Sequence, residues 1–224
     1  MEIKNPLYSN QGIHVICSIF TVDKGITKVL LIKRKNNPFN GMWALPGGAL
    51  YNNEDLIDGM KREIQEKTGI TDIDLYLSNV FGNVDRSPVM RMVAITYIGI
   101  IDNKRVSILN ETLKTSNADW FSIESIPELA YDHNEILDKA IETLRDKITC
   151  TDILKSLFPD GFVIPEIQKA YETILDKKYD RRNFRKKLLN TGLLIDTNKE
   201  KVFDGTKPAK IYKFKNIKRN ENVF

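Results

Sequence analysis

The chain is short of the residues that staple or metallate a small protein. It has two cysteines, Cys17 and Cys150, far apart in sequence, and two histidines in 224 residues. That excludes a disulfide framework, a paired-cysteine zinc site and a histidine-rich metal centre, and it fits a reducing cytoplasm. Cys17 lies in an apolar run and reads as a small core residue. No apolar run reaches the roughly 18 residues needed to cross a bilayer, so no membrane partner is expected. The opening MEIKNPLYSNQG lacks the basic-then-apolar layout of a secretory leader. The last third has no platform of interleaved aromatics, which argues against an RNA-stacking module.

What is present is a hydrophobic content of 42%, enough for a core, and an uneven charge. Residues 1–144 carry 15 basic and 19 acidic side chains, a net −4; the remaining residues carry 19 and 11, a net +8. An acidic body with a basic final third suggests two modules, the second suited to nucleic acid.

Along the body, β-branched and aromatic stretches predict strands at Gly12–Asp23, Lys28–Lys33, Asp72–Val80, Arg91–Ile101 and Ala118–Ser122. Between them GGALYNNEDLIDGMKREIQEKTGI, from Gly47 to Ile70, reads as a glycine loop, a helix and a stop. Asn52 or Asn53 is the expected cap of a helix running from about Asn53 to Thr68, with Glu54 and Asp55 in its first turn. Leu56, Met60 and Ile64 make a buried stripe, and Gly69 a left-handed stop. Glu63 and Glu66 lie three apart and share a face. Paired helix carboxylates beside a glycine loop are a ligand set for Mg²⁺ or Mn²⁺ holding phosphates. His133–Lys147 is a second helix, with Ile136, Ala140, Leu144 and Ile148 four apart.

The Gly47–Ile70 stretch resembles the Nudix box. Gly48, Glu54, Arg62, Glu63, Ile64, Glu66, Gly69 and Ile70 fall at that family's positions, led in by Trp43-Ala44-Leu45-Pro46-Gly47. The resemblance implies an α/β/α sandwich, and it offers Glu63 and Glu66 as catalytic and metal-binding residues. One position departs: Lys67 stands where the family has a second glutamate. An ammonium there removes an oxygen ligand and repels a divalent cation, so metal binding should weaken. It could instead meet Glu63 or a ligand phosphate directly. Gly59 stands where alanine is usual and costs up to about 1 kcal/mol of helix stability. Arg62 is expected to buttress the box through Glu54, Asp58 or Glu66 rather than touch ligand.

The final third has another rhythm. Thr151–Phe158 is a short helix. A second starts at Pro165, which suits a first helical turn, and carries the stripe Ile167, Ala170, Tyr171, Ile174. After a turn, Asp180 can cap a third, Arg181–Asn190, with Phe184 and Leu188 inside and Arg181, Arg182, Arg185, Lys186 and Lys187 outside. Gly192–Thr197 and Lys210–Phe214 then flank a charged tip holding Lys199, Lys201, Gly205, Lys207 and Pro208. This is a helix-turn-helix with a wing. Arginines there suit guanine edges or phosphate, Asn183 suits adenine, and the lysines, including Lys207 and Lys210, suit phosphate. A solvated basic face on an ordinary helix is the bland alternative, weakened by the helix count and the wing.

A Nudix-like domain followed by a winged helix is similar to the Nudix-related transcriptional regulators. Residues 180–187, Thr191–Leu194 and 207–214 look like that family's recognition helix and wing, and Tyr131-Asp132-His133 like the end of its effector domain. The expected fold is α+β: a Nudix-like effector-binding domain over residues 1–147 and a winged-helix DNA-binding domain over 148–224. The resemblance implies a cytoplasmic homodimeric regulator, most simply a repressor, whose partners are a double-stranded DNA operator and a small effector, ADP-ribose or a pentose. Gly48, Glu63, Glu66 and Lys67, with Asp85 and Arg86 from a polar loop, are the expected ligand residues. Regulation requires no cofactor. The alternative is a working Nudix hydrolase using Mg²⁺ on Glu63 and Glu66.

Overall fold

A computed structural model describes residues 11–205 and 207–215. The outer ends of the two expected domains, and the leader reading over residues 1–10, lie outside the described residues.

The body is one mixed sheet. Its strands are β1 (Gly12–Asp23), β2 (Ile26–Arg34), β3 (Trp43–Ala44), β4 (Gly47–Ala49), β5 (Tyr76–Phe81), β6 (Met92–Ile100) and β7 (Thr115–Ser122). They run β3-β2-β1-β6-β5, with β4 pairing β1 and β7 pairing β2. β1 and β6 lie parallel from Gly12↔Met92 to Phe20↔Ile100. Side chains alternate across β1 because a strand repeats every two residues. Val15, Cys17 and Ile19 therefore face α1 (Leu56–Thr68), packing with Met60 and Ile64. Ile16 and Phe20 face α2 (His133–Cys150), packing with Ile136, Ala140 and Leu144. The box helix and the second helix thus cover opposite faces, as the α/β/α reading requires.

Several boundaries differ from expectation by a few residues (β7, for one, begins at Thr115 rather than Ala118), and two of them have a visible cause. α1 starts at Leu56, and its cap position is Asp55, with no side-chain cap bond. Neither Asn52 nor Asn53 caps it, and Glu54 is outside the first turn. The reason is local: Glu54 accepts from the Tyr51 amide at 2.7 Å and from Arg62, which holds residues 51–55 as a turn. β5 begins at Tyr76 rather than Asp72, where its register with β6 begins at Tyr76↔Ile98. The preceding Ile73 is instead buried over Gly99, whose missing β-carbon leaves it room.

α2 continues through Cys150, so the division expected after Lys147 falls within a helix. A 3₁₀ turn (Ile153–Leu157) leads to α3 (Ile164–Leu175), α4 (Arg181–Asn190) and the antiparallel hairpin β8 (Leu194–Lys201) and β9 (Ala209–Phe214). The α2-side core is continuous into this third: Leu144 and Ile148 share one apolar cluster with Phe162, Tyr171, Ile174 and Phe184.

Candidate functional site

β4 lies antiparallel to β1, with Val15 opposite Gly48 and Ile16 opposite Gly47, which sets the two glycines against α1. A β-carbon on Gly48 would collide with the Glu63 carboxylate, so this close approach requires glycine. Arg62 behaves as the expected buttress. Its Nε and Nη2 donate to Glu54 at 2.8 and 2.6 Å, Nη2 also to the Ala49 carbonyl at 2.9 Å, and the guanidinium lies 3.8 Å from the Tyr51 ring. Hydrogen bonds from Arg62 hold the Glu54 carboxyl down at about 2.

Glu63 is surrounded by cations. Arg62 Nη1 donates to its Oε1 at 2.5 Å, and Lys67 Nζ sits 3.0 Å from its Oε2. Oε2 is buried without an aligned hydrogen bond, so its contact with Lys67 is ionic. Lys67 also donates to the Gly47 carbonyl. Burial pushes the Glu63 carboxyl up, but Lys67 and Arg62 outweigh it and the net shift is down; burial draws the Lys67 ammonium down. Glu66 is more exposed, and Lys114 takes its Oε2 at 2.7 Å.

These residues do not fit a divalent metal. The oxygens it would use are held by ammonium and guanidinium groups, and Lys67 spans the gap between Gly47 and Glu63. Among the described residues no group of three or more histidine, cysteine, aspartate or glutamate side chains could hold a metal. The fold brings Glu63 and Glu66 together as expected, yet as anions already neutralised by the chain.

Beside the box lies a cleft with a cluster of cations around one histidine. His14, on β1, is held near 4 by burial and then by the charges of Arg86, Lys67 and Arg34. It is a neutral imidazole among cations, opposed by Glu63. Arg86 is buried and does not pair locally with Asp85, which is exposed; it reaches 46 residues along the chain to Asp132. A cavity of about 680 Å³ opens on the Arg86 side, between Phe39, Phe81 and Tyr131, and its charged lining is Asp85, Asp132 and Glu135 beside Arg86 and Lys139. Arg34 donates to the Pro38 carbonyl and to the Tyr131 hydroxyl, fixing the loop that carries Phe39. Buried His133 accepts from the Leu45 amide at 3.0 Å, tying the start of α2 to the box lead-in. His14, Arg34 and Lys114 were not legible as site residues: they come from separate elements and belong to no spaced motif, while Asp132 stood only in the Tyr131-Asp132-His133 resemblance, without a role.

The second site is α4. Asp180 accepts from the Asn183 amide at 2.8 Å and caps the helix as expected. Phe184 and Leu188 are buried, with Phe184 edge-on to Tyr171 at 5.5 Å. Arg181, Arg182, Asn183, Arg185, Lys186 and Lys187 are exposed, and among the described residues no ion pair ties those cations to a carboxylate. The turn before the helix is pinned by Glu172, which accepts from the Tyr179 amide at 2.9 Å and from Gln168 at 3.0 Å. In the wing, Lys199 and Lys207 are exposed. Lys210 is bound to Asp196 at 2.7 Å and Lys201 to Glu166 at 2.6 Å, so those two brace the wing.

The family description "NUDIX domain" matches residues 12–144, and "NrtR DNA-binding winged helix domain" matches residues 154–214. The ADPR responsive transcriptional repressor NtrR of Acinetobacter baylyi is 32% identical over 92% of this chain and 83% of its own length. Shewanella oneidensis NrtR, crystallised with a 27mer DNA, superposes with a TM-score of 0.77 at 27% identity, covering 91% of this chain and 93% of that one. The NUDIX domain of the same protein complexed with ADP ribose superposes with a TM-score of 0.57 at 27% identity, over 62% of this chain and 93% of that one. The chain belongs to the NrtR family of proteins, built from a NUDIX domain and an NrtR winged-helix domain.

Proposed function

We propose that the protein is a transcriptional repressor that binds double-stranded DNA through α4 and its wing and responds to ADP-ribose in the Nudix cleft. The observation that carries the reading is the contrast within α4: an apolar side locked into the core, and five cations on the other side with no carboxylate partner among the described residues. The DNA role falls to Arg181, Arg182, Asn183, Arg185, Lys186, Lys187 and Lys207, with Lys210 bracing. Paired α4 helices of a homodimer would address two half-sites on one face of the duplex. Arg86, which lines the cavity, and the neighbouring cations that act on His14 suit a diphosphate, while Lys67 stays on Glu63. A pentose carries no charge to meet them, so ADP-ribose is favoured over a sugar. Gly48 and buried Glu63 lie behind Lys67, Glu66 opens on a separate cavity with Lys114, and Asp85 lines the Arg86 cavity.

On this reading the cleft binds without hydrolysing, because Lys67 and Arg62 hold the carboxylate that a metal would need. The test is a gel shift with duplex DNA from the chain's own upstream region, with ADP-ribose and pentoses titrated in, beside a hydrolysis assay with Mg²⁺. Release by ADP-ribose alone is expected, without turnover. Turnover at ordinary enzymatic rates would overturn the assignment. Activity appearing only in Lys67→Glu would support it.

A further inference from the structure

Asp132 is placed oddly for a helix start. It holds the cap position of α2, where an aspartate ordinarily accepts from the helix's own first amides. Its side chain makes no such bond. Instead Arg86 holds it in two parallel bonds, Nε to Oδ2 and Nη2 to Oδ1, both 2.8 Å, the forked geometry in which guanidinium and carboxylate bind most strongly. The Arg86 side chain is 2% exposed and that of Asp132 14%. The preceding residue, Tyr131, has φ +58, a left-handed conformation that strains a side-chain-bearing residue. Its ring is fixed against Phe39 at 4.6 Å and beneath Arg34 at 5.0 Å. Both departures aim Asp132 into the cleft that Arg86 lines.

α2 then spans about 27 Å at 1.5 Å per residue. Its far end is embedded in the winged helix. Leu144 and Ile148 pack with Phe162, Tyr171 and Ile174, and Arg145 Nε donates to the Ile174 carbonyl at 3.1 Å in the last turn of α3. Close-packed contacts of this kind transmit a shift rather than absorb it.

We infer that Asp132 is an internal competitor for the ligand's anion at Arg86. An incoming diphosphate takes the guanidinium. Asp132, released, is free to take the extended backbone of a capping residue, which it lacks at φ −91 and ψ 19, and the resettled helix start moves α3 and α4. The two states differ in what Arg86 binds, which supplies the differential affinity that a ligand needs to shift an equilibrium. The inference rests on the reading that the cleft takes a diphosphate such as ADP-ribose.

The experiment uses the full chain and Asp132→Asn, which removes the charge and keeps a good cap residue, with Asp132→Ser as a second variant should the first fail to fold. ADP-ribose and inorganic pyrophosphate are titrated by calorimetry, and the duplex from the gel shift by fluorescence anisotropy without ligand. If the clamp is closed in about nine molecules of ten, the variants bind both anions roughly tenfold more tightly. Their ligand-free DNA affinity moves toward that of ligand-saturated wild type. Folded variants equal to wild type in both measurements overturn the inference, as does failure of any of the proteins to bind either anion. Tighter pyrophosphate binding by the variants with no ADP-ribose binding would remove the effector reading and keep the clamp.

Discussion

α1 and α4 are both helices rich in charge, and they use it in opposite ways. On α1, Arg62 and Lys67 are turned inward onto Glu54 and Glu63, at 2.5–3.0 Å, with side chains 10–19% exposed on the cationic members. On α4, the cations stand in solvent, and the helix is held by Phe184 and Leu188 instead. A charge paired inside the protein fixes a shape. A charge left in water is available to a phosphate. The difference lies in what surrounds each helix: a glycine-lined strand and a buried carboxylate for α1, an open face for α4.

The largest expected effect breaks the α4 side. Arg182→Ala with Arg185→Ala removes two contacts at about 1–3 kcal/mol each, so operator affinity should fall by roughly two to four orders of magnitude. ADP-ribose binding should stay unchanged by calorimetry. Operator affinity that survived would mean that α4 is not the reading helix. Salt sharpens the contrast. If about six phosphates are neutralised per dimer, DNA affinity should drop about 10³-fold between roughly 50 and 200 mM salt. The urea midpoint, which reflects the buried box pairs, should hardly move. A flat salt response of DNA binding would count against the proposed face.

On the α1 side, Lys67→Met leaves Glu63 buried beside Arg62 with its Oε2 uncompensated. Breaking a buried pair this way costs about 3–5 kcal/mol, to be read from urea denaturation. An unchanged midpoint would mean that the pair does not hold the box. The smallest effect concerns acid. The Glu54 carboxyl titrates lower in the folded protein, at about 2, than its ordinary value of 4.5. The stability from its pair with Arg62 is therefore fully present above the ordinary value and fades as the pH falls toward 2. Wild type and Glu54→Gln should differ in melting temperature at pH 6 and converge as the pH drops through that window. A gap that stayed constant would place the effect in packing.

Most of the strands and both long helices of the body were legible, because burial on two faces writes a repeat of two or four into the chain. The inner residues of α4 were legible for the same reason, and its Asp180 cap because a short carboxylate accepts from the first helical amides. The start of α1 was not, because Glu54 preferred Arg62 and the Tyr51 amide to a place in the helix. The cleft was half legible. Lys67 stands out against a spaced motif, and its partner Glu63 is one turn away. Arg86 was expected as a ligand residue on a polar loop, but its partner Asp132 lies 46 residues on.

The sequence by itself therefore determined the helix and strand periods, the box spacing, the Lys67 departure and the separation of charge between body and final third. These are local or additive properties, readable without knowing what touches what. Only the tertiary structure decided that Lys67 and Arg62 occupy the carboxylate a metal would need, and that Lys114 covers Glu66. It alone joined Asp132 to Arg86. Pairing of charges is settled by distance in space, which a linear chain does not encode directly.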